Sequence, residues 1–223
     1  ARDPRAQEKA DHLTRLREAM DAAVRHYRMQ LSSGAAAEAR EYLARRGLDE
    51  DTLARFEIGY APEARRGLFE ALRAKGAEDE LIVEAGLAAQ PEDGGAAYDR
   101  FRGRIVFPIR DAQGRAVGLG GRAMRADARA KYLNSPATPL FDKSRSLYNH
   151  GPAREAAGKG QPLIVAEGYM DVIALARAGF AAAVAPLGTA ITGDQLDLLW
   201  RIADEPLIAL DGDRAGLDAA YRL

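Results

Sequence analysis

Two short apolar runs in the last third of the chain each end in a carboxylate. Leu163-Ile164-Val165-Ala166 leads directly into Glu167, and Leu207-Ile208-Ala209-Leu210 leads into Asp211, with Asp213 two residues further on. Apolar runs of this length, bounded by turn residues, read as buried strands. Ligands of open α/β sheets gather beyond the carboxyl ends of the strands, so Glu167, Asp211 and Asp213 are expected on one edge. Gly168 and Gly212 beside them permit tight turns and close backbone approach. Clustered carboxylates repel unless a cation sits among them. An all-oxygen donor set favours Mg2+ or Mn2+, ions that polarise a phosphoryl oxygen and help generate an attacking one. An acid after a strand is, taken singly, more often a helix cap or solvated surface. Asp171 fits that helix-start reading, with a supporting role at the site as its alternative. The run Asp211-Gly212-Asp213-Arg214-Ala215-Gly216 fails as a calcium loop, because Ala215 cannot ligate and Arg222 stands where a bidentate Glu is needed.

A second constellation is basic. Residues 100–145 carry eleven Arg or Lys against three acids, whereas residues 160–223 carry nine acids against four basic residues. The two halves are therefore expected to meet different charged partners, although the whole chain has a formal charge of only −1. Arg122 follows Gly120-Gly121. The stretches Lys131-Tyr132-Leu133-Asn134-Ser135-Pro136 and Phe141-Asp142-Lys143 interleave cations with aromatic and amide groups. Cations neutralise backbone phosphates and aromatics stack on unpaired bases, but composition alone leaves this reading level with a solvated surface. Gly118-Leu119-Gly120-Gly121 is not a dinucleotide fingerprint, since the third glycine is missing, and no Walker A motif is present.

The elements that must position these groups fall into three blocks. Asp3-Pro4 reads as an N-cap and first helical residue, and Leu13, Leu16, Met20, Val24, Tyr27 and Leu31 mark one buried helix face ending at Ser32-Ser33-Gly34. Shorter helices are expected around Tyr42-Leu43, after Asp49, and over 66–75 and 78–85, with Gly59-Tyr60-Ala61-Pro62 as a loop. The middle block reads as a small mixed sheet. Ile105–Ile109 is a strand whose Pro108 argues for an edge or a bulge, Asp111–Gly114 is a hairpin connection to Ala116–Leu119, and Lys131–Leu133 is a third strand. The last block alternates strand and helix: 163–166, 169–178, 181–185, a helix capped by Thr192, 207–210, and a helix from near Arg214. Continuous apolar strands alternating with helices argue for a parallel sheet covered on both faces. Gly151–Gly160 reads as a flexible linker. The predicted fold class is α/β: residues 1–150 form an α+β subdomain with a basic groove, and residues 160–223 form an α/β subdomain with a parallel central sheet.

Length and composition bound the rest. The chain has 223 residues, 47% of them hydrophobic, enough for one large or two small cores. It has no cysteine and three scattered histidines, which excludes disulfides, thiolate sites and a His-rich zinc site and fits a reducing cytosol. No apolar run is long enough to span a membrane, and the charged residues 1–12 do not open a signal peptide. Leu223 falls inside an expected helix, so the chain reads as a fragment of a longer protein.

Glu167-Gly168-Tyr169-Met170-Asp171-Val172 and Asp211-Gly212-Asp213-Arg214-Ala215-Gly216 resemble the two acidic motifs of the Toprim domain of DnaG-type bacterial primases. Tyr98-Asp99-Arg100-Phe101-Arg102, Val106-Phe107-Pro108-Ile109-Arg110-Asp111, Gly118-Leu119-Gly120-Gly121-Arg122, Lys131-Tyr132-Leu133-Asn134-Ser135-Pro136 and Leu147-Tyr148 are similar to that core's N-terminal subdomain. Tyr42-Leu43, Arg45-Arg46-Gly47-Leu48 and Ile58-Gly59-Tyr60-Ala61-Pro62 extend the likeness, which spans roughly residues 20 to 223. The resemblance implies metal-dependent synthesis of RNA primers from NTPs on single-stranded DNA. It makes Glu167 the acid closest to catalysis and Asp211 and Asp213 metal holders, and it places Arg46, Arg122, Lys131, Asn134 and Lys143 along the template or nucleotide groove. It further implies zinc only in an N-terminal domain and a replicative helicase met through a C-terminal domain, neither present in this chain. A third acidic cluster beyond Leu223 would leave this fragment weak or inactive. The fragment is expected to be a cytoplasmic monomer with no membrane partner. The alternatives are another Toprim phosphodiester enzyme, a nuclease or topoisomerase fragment, and a non-catalytic module binding single-stranded DNA or a nucleotide.

Overall fold

The computed structural model of the chain describes residues 4–188 and 190–212. The expected N-cap Asp3, the acid Asp213 and the helix near Arg214 lie outside the described residues. The chain divides into two compact units, Ala1–Pro108 with Ala116–Phe141, and Ile109–Arg115 with Asp142–Leu223.

The first unit is built on α1 (Pro4–Leu31), whose buried face carries the expected Leu16, Met20, Val24, Tyr27 and Leu31. Ala19, Ala22 and Ala23 widen that stripe, and Leu13 is only partly buried. A single 3₁₀ turn leads to α2 (Ala37–Arg45), which ends before Gly47 in a left-handed conformation at φ +78°. Next comes α3 (Glu50–Arg55), started by the Asp49 carboxylate, which accepts the Thr52 N–H at 2.8 Å.

The stretch expected as a loop is instead strand β1 (Gly59–Ala61), antiparallel to β4 (Arg104–Arg110). Three residues that begin with Gly59 and stop before Pro62 carry too little periodicity to announce a strand. Tertiary placement decides: all three are buried, and Gly59 lies so close to α1 that an added Cβ would stand 2.7 Å from the Tyr27 carbonyl carbon. Helices α4 (Gly67–Arg73) and α5 (Asp79–Glu84) follow, then a two-stranded ribbon of β2 (Ala88–Ala89) and β3 (Tyr98–Asp99). Asp99 is only 3% exposed, and its carboxylate accepts the N–H groups of Leu68 and Phe69 at 2.8 and 2.9 Å. It thereby caps α4, whose own N-cap residue Arg66 makes no capping bond. Burial holds the Asp99 carboxyl above its ordinary pKa, and the two amide bonds pull the other way.

The mixed sheet is completed by β5 (Ala116–Ala123) and β6 (Tyr132–Asn134), in the order β1-β4-β5-β6, with β5 and β6 antiparallel. Pro108 is thus not on an edge strand. It is tolerated because the β1 ladder stops at Val106, leaving only one neighbouring strand to match at Pro108. The hairpin connection is as expected: Asp111 accepts the N–H groups of Gln113 and Arg115, and Gly114 takes φ +77°. Helix α1 lies across β1 and β5, and Leu16, Met20, Phe69, Phe101, Val106 and Leu119 share one apolar cluster. Gly121 lets the Phe101 ring in, since a Cβ there would lie 2.7 Å from it.

The second unit holds β7 (Leu147–Tyr148), α6 (His150–Gly158), β8 (Ile164–Ala166), α7 (Tyr169–Arg177), β9 (Ala183–Pro186), α8 (Gly193–Trp200) and β10 (Leu207–Ala209). The stretch expected as a flexible linker is mostly α6. Ala153, Arg154, Glu155, Ala156 and Ala157 are strong helix formers, Pro152 sits in the first turn where no N–H is needed, and Ala153 is fully buried. Thr192 caps α8 as expected, in a reciprocal box with Gln195. The sheet order is β10-β8-β9-β7; the first three strands run parallel, and β7 joins antiparallel to β9. Leu147, Leu163, Val165, Val184 and Leu199 form its core. The run 207–210 departs from the expectation of a covered strand: β10 is exposed at all three residues, as the outermost strand of the described sheet. Among the described residues no helix is long and apolar enough to cross a membrane.

Candidate metal centre and nucleic-acid face

Adjacent parallel strands deliver the first acids. β8 pairs with β10 in the register Ala166↔Ala209, so Glu167 and Asp211 leave the sheet at the same end. The Asp211 N–H donates to the Glu167 carboxylate at 3.2 Å. Both side chains are exposed, leaving oxygen lone pairs available to solvent or a cation. Asp171 accepts the Gly168 N–H at 3.1 Å at the start of α7, the helix-start role expected of it. Gly168 is the N-cap and has no side chain to return the bond, so only half of a capping box forms. Asp213 lies outside the described residues, and among those residues no group of three potential metal ligands gathers. Two carboxylate-bearing residues adjoin, and the donor chemistry, oxygen only, suits a hard dication completed by a further donor.

The first unit places Arg46, Arg122, Lys131 and Asn134. On the β5–β6 ladder Arg122 pairs with Tyr132 and Gly120 with Asn134. Paired residues share a sheet face, so Arg122, Tyr132 and Asn134 stand on one side, opened by Gly120, which has no side chain. The Arg122 guanidinium lies 4.1 Å from the centroid of the Tyr42 ring, and the Arg46 guanidinium lies 5.4 Å from the same centroid. Lys131 is exposed, with Nζ 5.9 Å from the Tyr132 ring centroid. Lys143 belongs to the second unit. It is exposed on a single 3₁₀ turn that Asp142 caps through Ser144, and its carbonyl accepts from the Gln195 side chain at 2.9 Å.

Not all of the basic block is available to a ligand. Arg100 donates to the Asn134 carbonyl at 3.0 and 3.2 Å, and Arg104 reaches the carbonyls of Gly121, Ala130 and Lys131. These guanidinium groups tie down β6 and the segment that leads into it, and burial lowers the pKa of both arginines. The even reading of the block as surface or interface therefore resolves residue by residue. Sequence reasoning passed over Tyr42 as a chemical group. The signal was present in its four-residue spacing from Arg46, which puts both on one helical face.

Residues 26–154 match the model of the DNA primase catalytic core, N-terminal domain, more than half of the chain. The chain belongs to the DnaG-type DNA primase family. Residues 161–223 of this primase chain match the Toprim domain. It is 47% identical over 180 residues to the DNA primase of Deinococcus radiodurans, covering 80% of the chain and 31% of that protein. It is 43% identical over 203 residues to the DNA primase of Escherichia coli K12, covering 91% and 35%. The primase chain thus spans about a third of the curated relatives' length. Among solved structures it superposes on a DnaG primase catalytic domain bound to ssDNA with TM-score 0.85 and 41% identity, over 96% of this chain and 66% of that one. The RNA polymerase domain of Mycobacterium tuberculosis primase DnaG gives TM-score 0.87 and 38% identity, over 94% and 70%. These matches bear out the α/β fold class with its Toprim subdomain, and the relatives reported are DNA primases. Divalent metal use is general in Toprim primases.

Proposed function

We propose that the chain is the template- and metal-binding part of a DNA primase, a nucleotidyltransferase that makes short RNA primers from NTPs on single-stranded DNA. The observation that carries this reading is the Asp211 N–H bonded to the Glu167 carboxylate at the carboxyl end of paired parallel strands. It supports a convergence of Glu167 and Asp211, with Asp213 following in the same motif. Glu167, Asp211 and Asp213 would hold Mg2+ or Mn2+, which when bound neutralises charge on phosphoryl oxygens. In the first unit Arg46, Arg122 and Lys131 bind phosphates of template or nucleotide and Asn134 offers an amide beside them; Lys143, in the second unit, is a further phosphate-binding cation. The 3′-hydroxyl of the growing strand attacks the α-phosphate and pyrophosphate leaves. The basic side chains orient the phosphates and offset the charge that builds on their oxygens. Zinc belongs to an N-terminal domain and the replicative helicase to a C-terminal domain of the whole protein, which works in the cytoplasm. The chain is proposed to act as a monomer.

The test is primer synthesis by the full-length protein on single-stranded DNA with Mg2+ or Mn2+. Glu167→Gln abolishes synthesis while affinity for single-stranded DNA stays within about twofold, a difference of under ~0.5 kcal/mol. Retained synthesis, or an equal loss of binding, removes Glu167 from a purely chemical role.

A further inference from the structure

We propose that Tyr42 is a positioning residue that holds the guanidinium groups of Arg46 and Arg122 ready for phosphate, a proposal that rests on the phosphate-binding reading of those two arginines. Two elements of the chain converge on one ring. Helix α2 supplies Tyr42, Arg46 is the residue that closes that helix, and Arg122 comes from β5, far along the sequence. Both guanidinium carbons lie within cation–π range of the ring, at 4.1 Å for Arg122 and 5.4 Å for Arg46.

Among the described residues neither arginine has a carboxylate within ion-pair distance. Arg122 donates one hydrogen bond to the Ala123 carbonyl at 3.1 Å. The ring therefore does for these two cations what a carboxylate does elsewhere in the molecule, as Asp127 does for Arg125 at 2.6 Å. The substitution matters chemically. A carboxylate takes the N–H edge of the guanidinium and cancels its charge. An aromatic face occupies the flat side and leaves the in-plane N–H fork, with its full charge, for phosphate oxygens. Two like charges gathered in one place repel, and their attraction to the same ring offsets part of that repulsion. Arginine side chains otherwise lose much rotamer freedom when they grip a ligand. A ring that has already ordered both reduces that loss. Tyr42 touches neither phosphate nor reacting atoms and acts through the arginines. The hydroxyl has no part in this, so phenylalanine should serve as well.

The experiment measures binding of a labelled single-stranded oligothymidylate to the full-length protein across a salt series. The variants are Tyr42→Leu, Tyr42→Phe, Arg122→Lys, Arg46→Ala, Arg122→Ala and the double variant Tyr42→Leu/Arg122→Ala. Tyr42→Leu weakens binding roughly 3- to 10-fold and Tyr42→Phe changes it less than about twofold. Arg122→Lys keeps the charge but loses the flat face, and weakens binding as Tyr42→Leu does. The Tyr42→Leu loss shrinks on the Arg122→Ala background, because its effect runs through that arginine. Wild-type binding by Tyr42→Leu with an unchanged melting temperature overturns the proposal. So does a Tyr42→Phe loss equal to that of Tyr42→Leu, or full additivity in the double variant. If Tyr42→Leu does not fold, the Arg122→Lys result decides: wild-type affinity there overturns the positioning role. If Arg46→Ala and Arg122→Ala themselves leave affinity and salt slope untouched, the phosphate-binding reading fails first and takes this proposal with it.

Discussion

At the scale of single residues, the basic block separates into cations that build the sheet and cations that face outward. Arg100 and Arg104 spend their N–H groups on backbone carbonyls. Lys131 is exposed beside Tyr132 and has its charge free for solvent or ligand among the described residues. These classes predict different behaviour. Lys131→Ala weakens oligonucleotide binding at low salt and lowers the slope of log K against log salt by roughly one, the signature of one lost phosphate contact. An unchanged slope takes Lys131 off the nucleic-acid face. Arg104→Ala, in contrast, removes the guanidinium donor to the Gly121, Ala130 and Lys131 carbonyls, of which Lys131 still accepts the Ala123 N–H, and lowers the unfolding free energy by about 0.5–1.5 kcal/mol. Denaturant titration checks this; a wild-type midpoint shows that the stitching is dispensable.

At the scale of elements, the close seat of β1 on α1 sets a steric limit. Gly59→Ala drives a methyl group to 2.7 Å from the Tyr27 backbone, so one element must shift. The expected cost is about 1–3 kcal/mol, the usual range for overpacking, read as a lower urea midpoint with an unaltered m-value; an unchanged midpoint refutes the tight seat. This element was also the one that sequence reading missed. Periodicity exposes long amphipathic pieces such as α1, and local chemistry exposes caps such as Asp49 and Thr192. Neither marks a three-residue strand that exists because a helix and a partner strand enclose it. The same blindness explains α6: the mix of glycine, alanine and charge over 151–160 suggested a linker, while Ala153–Ala157 are good helix formers and set the helix. The site fared differently. The placement of Glu167 and Asp211 at one end of neighbouring strands was legible, because a strand ending in an acid states both the element and its edge. The arrival of Arg122 at Tyr42 and Arg46 was not, because contact between α2 and β5 residues has no signature along the chain.

At the scale of the whole molecule, two half-buried histidines give stability a pH dependence near neutrality. Burial, reinforced by Lys75, lowers the pKa of His26 from 6.5. Burial with Arg154 lowers that of His150, against a smaller opposing pull from Asp111. Below pH 6.5 the unfolded chain takes up these protons before the folded one, so stability is full above that value and declines as the pH falls through and below it. Melting temperatures therefore drop on acidification into that window, and His26→Gln with His150→Gln flattens the profile; a slope that survives both changes assigns it to other groups. Higher in the pH scale these imidazoles are silent, and the fold rests on its connectivity. There Asp99 has a consequence for order of assembly. Helix α4 has 7 residues, too few to persist alone in water, and its opening turn is completed by a carboxylate 31 positions downstream of Leu68. The segment in between must first loop back, a closure whose entropic toll grows only slowly with length. Nascent chain emerging only as far as α4 would accordingly carry that segment as coil, and the helix would condense in one cooperative event when β3 arrives.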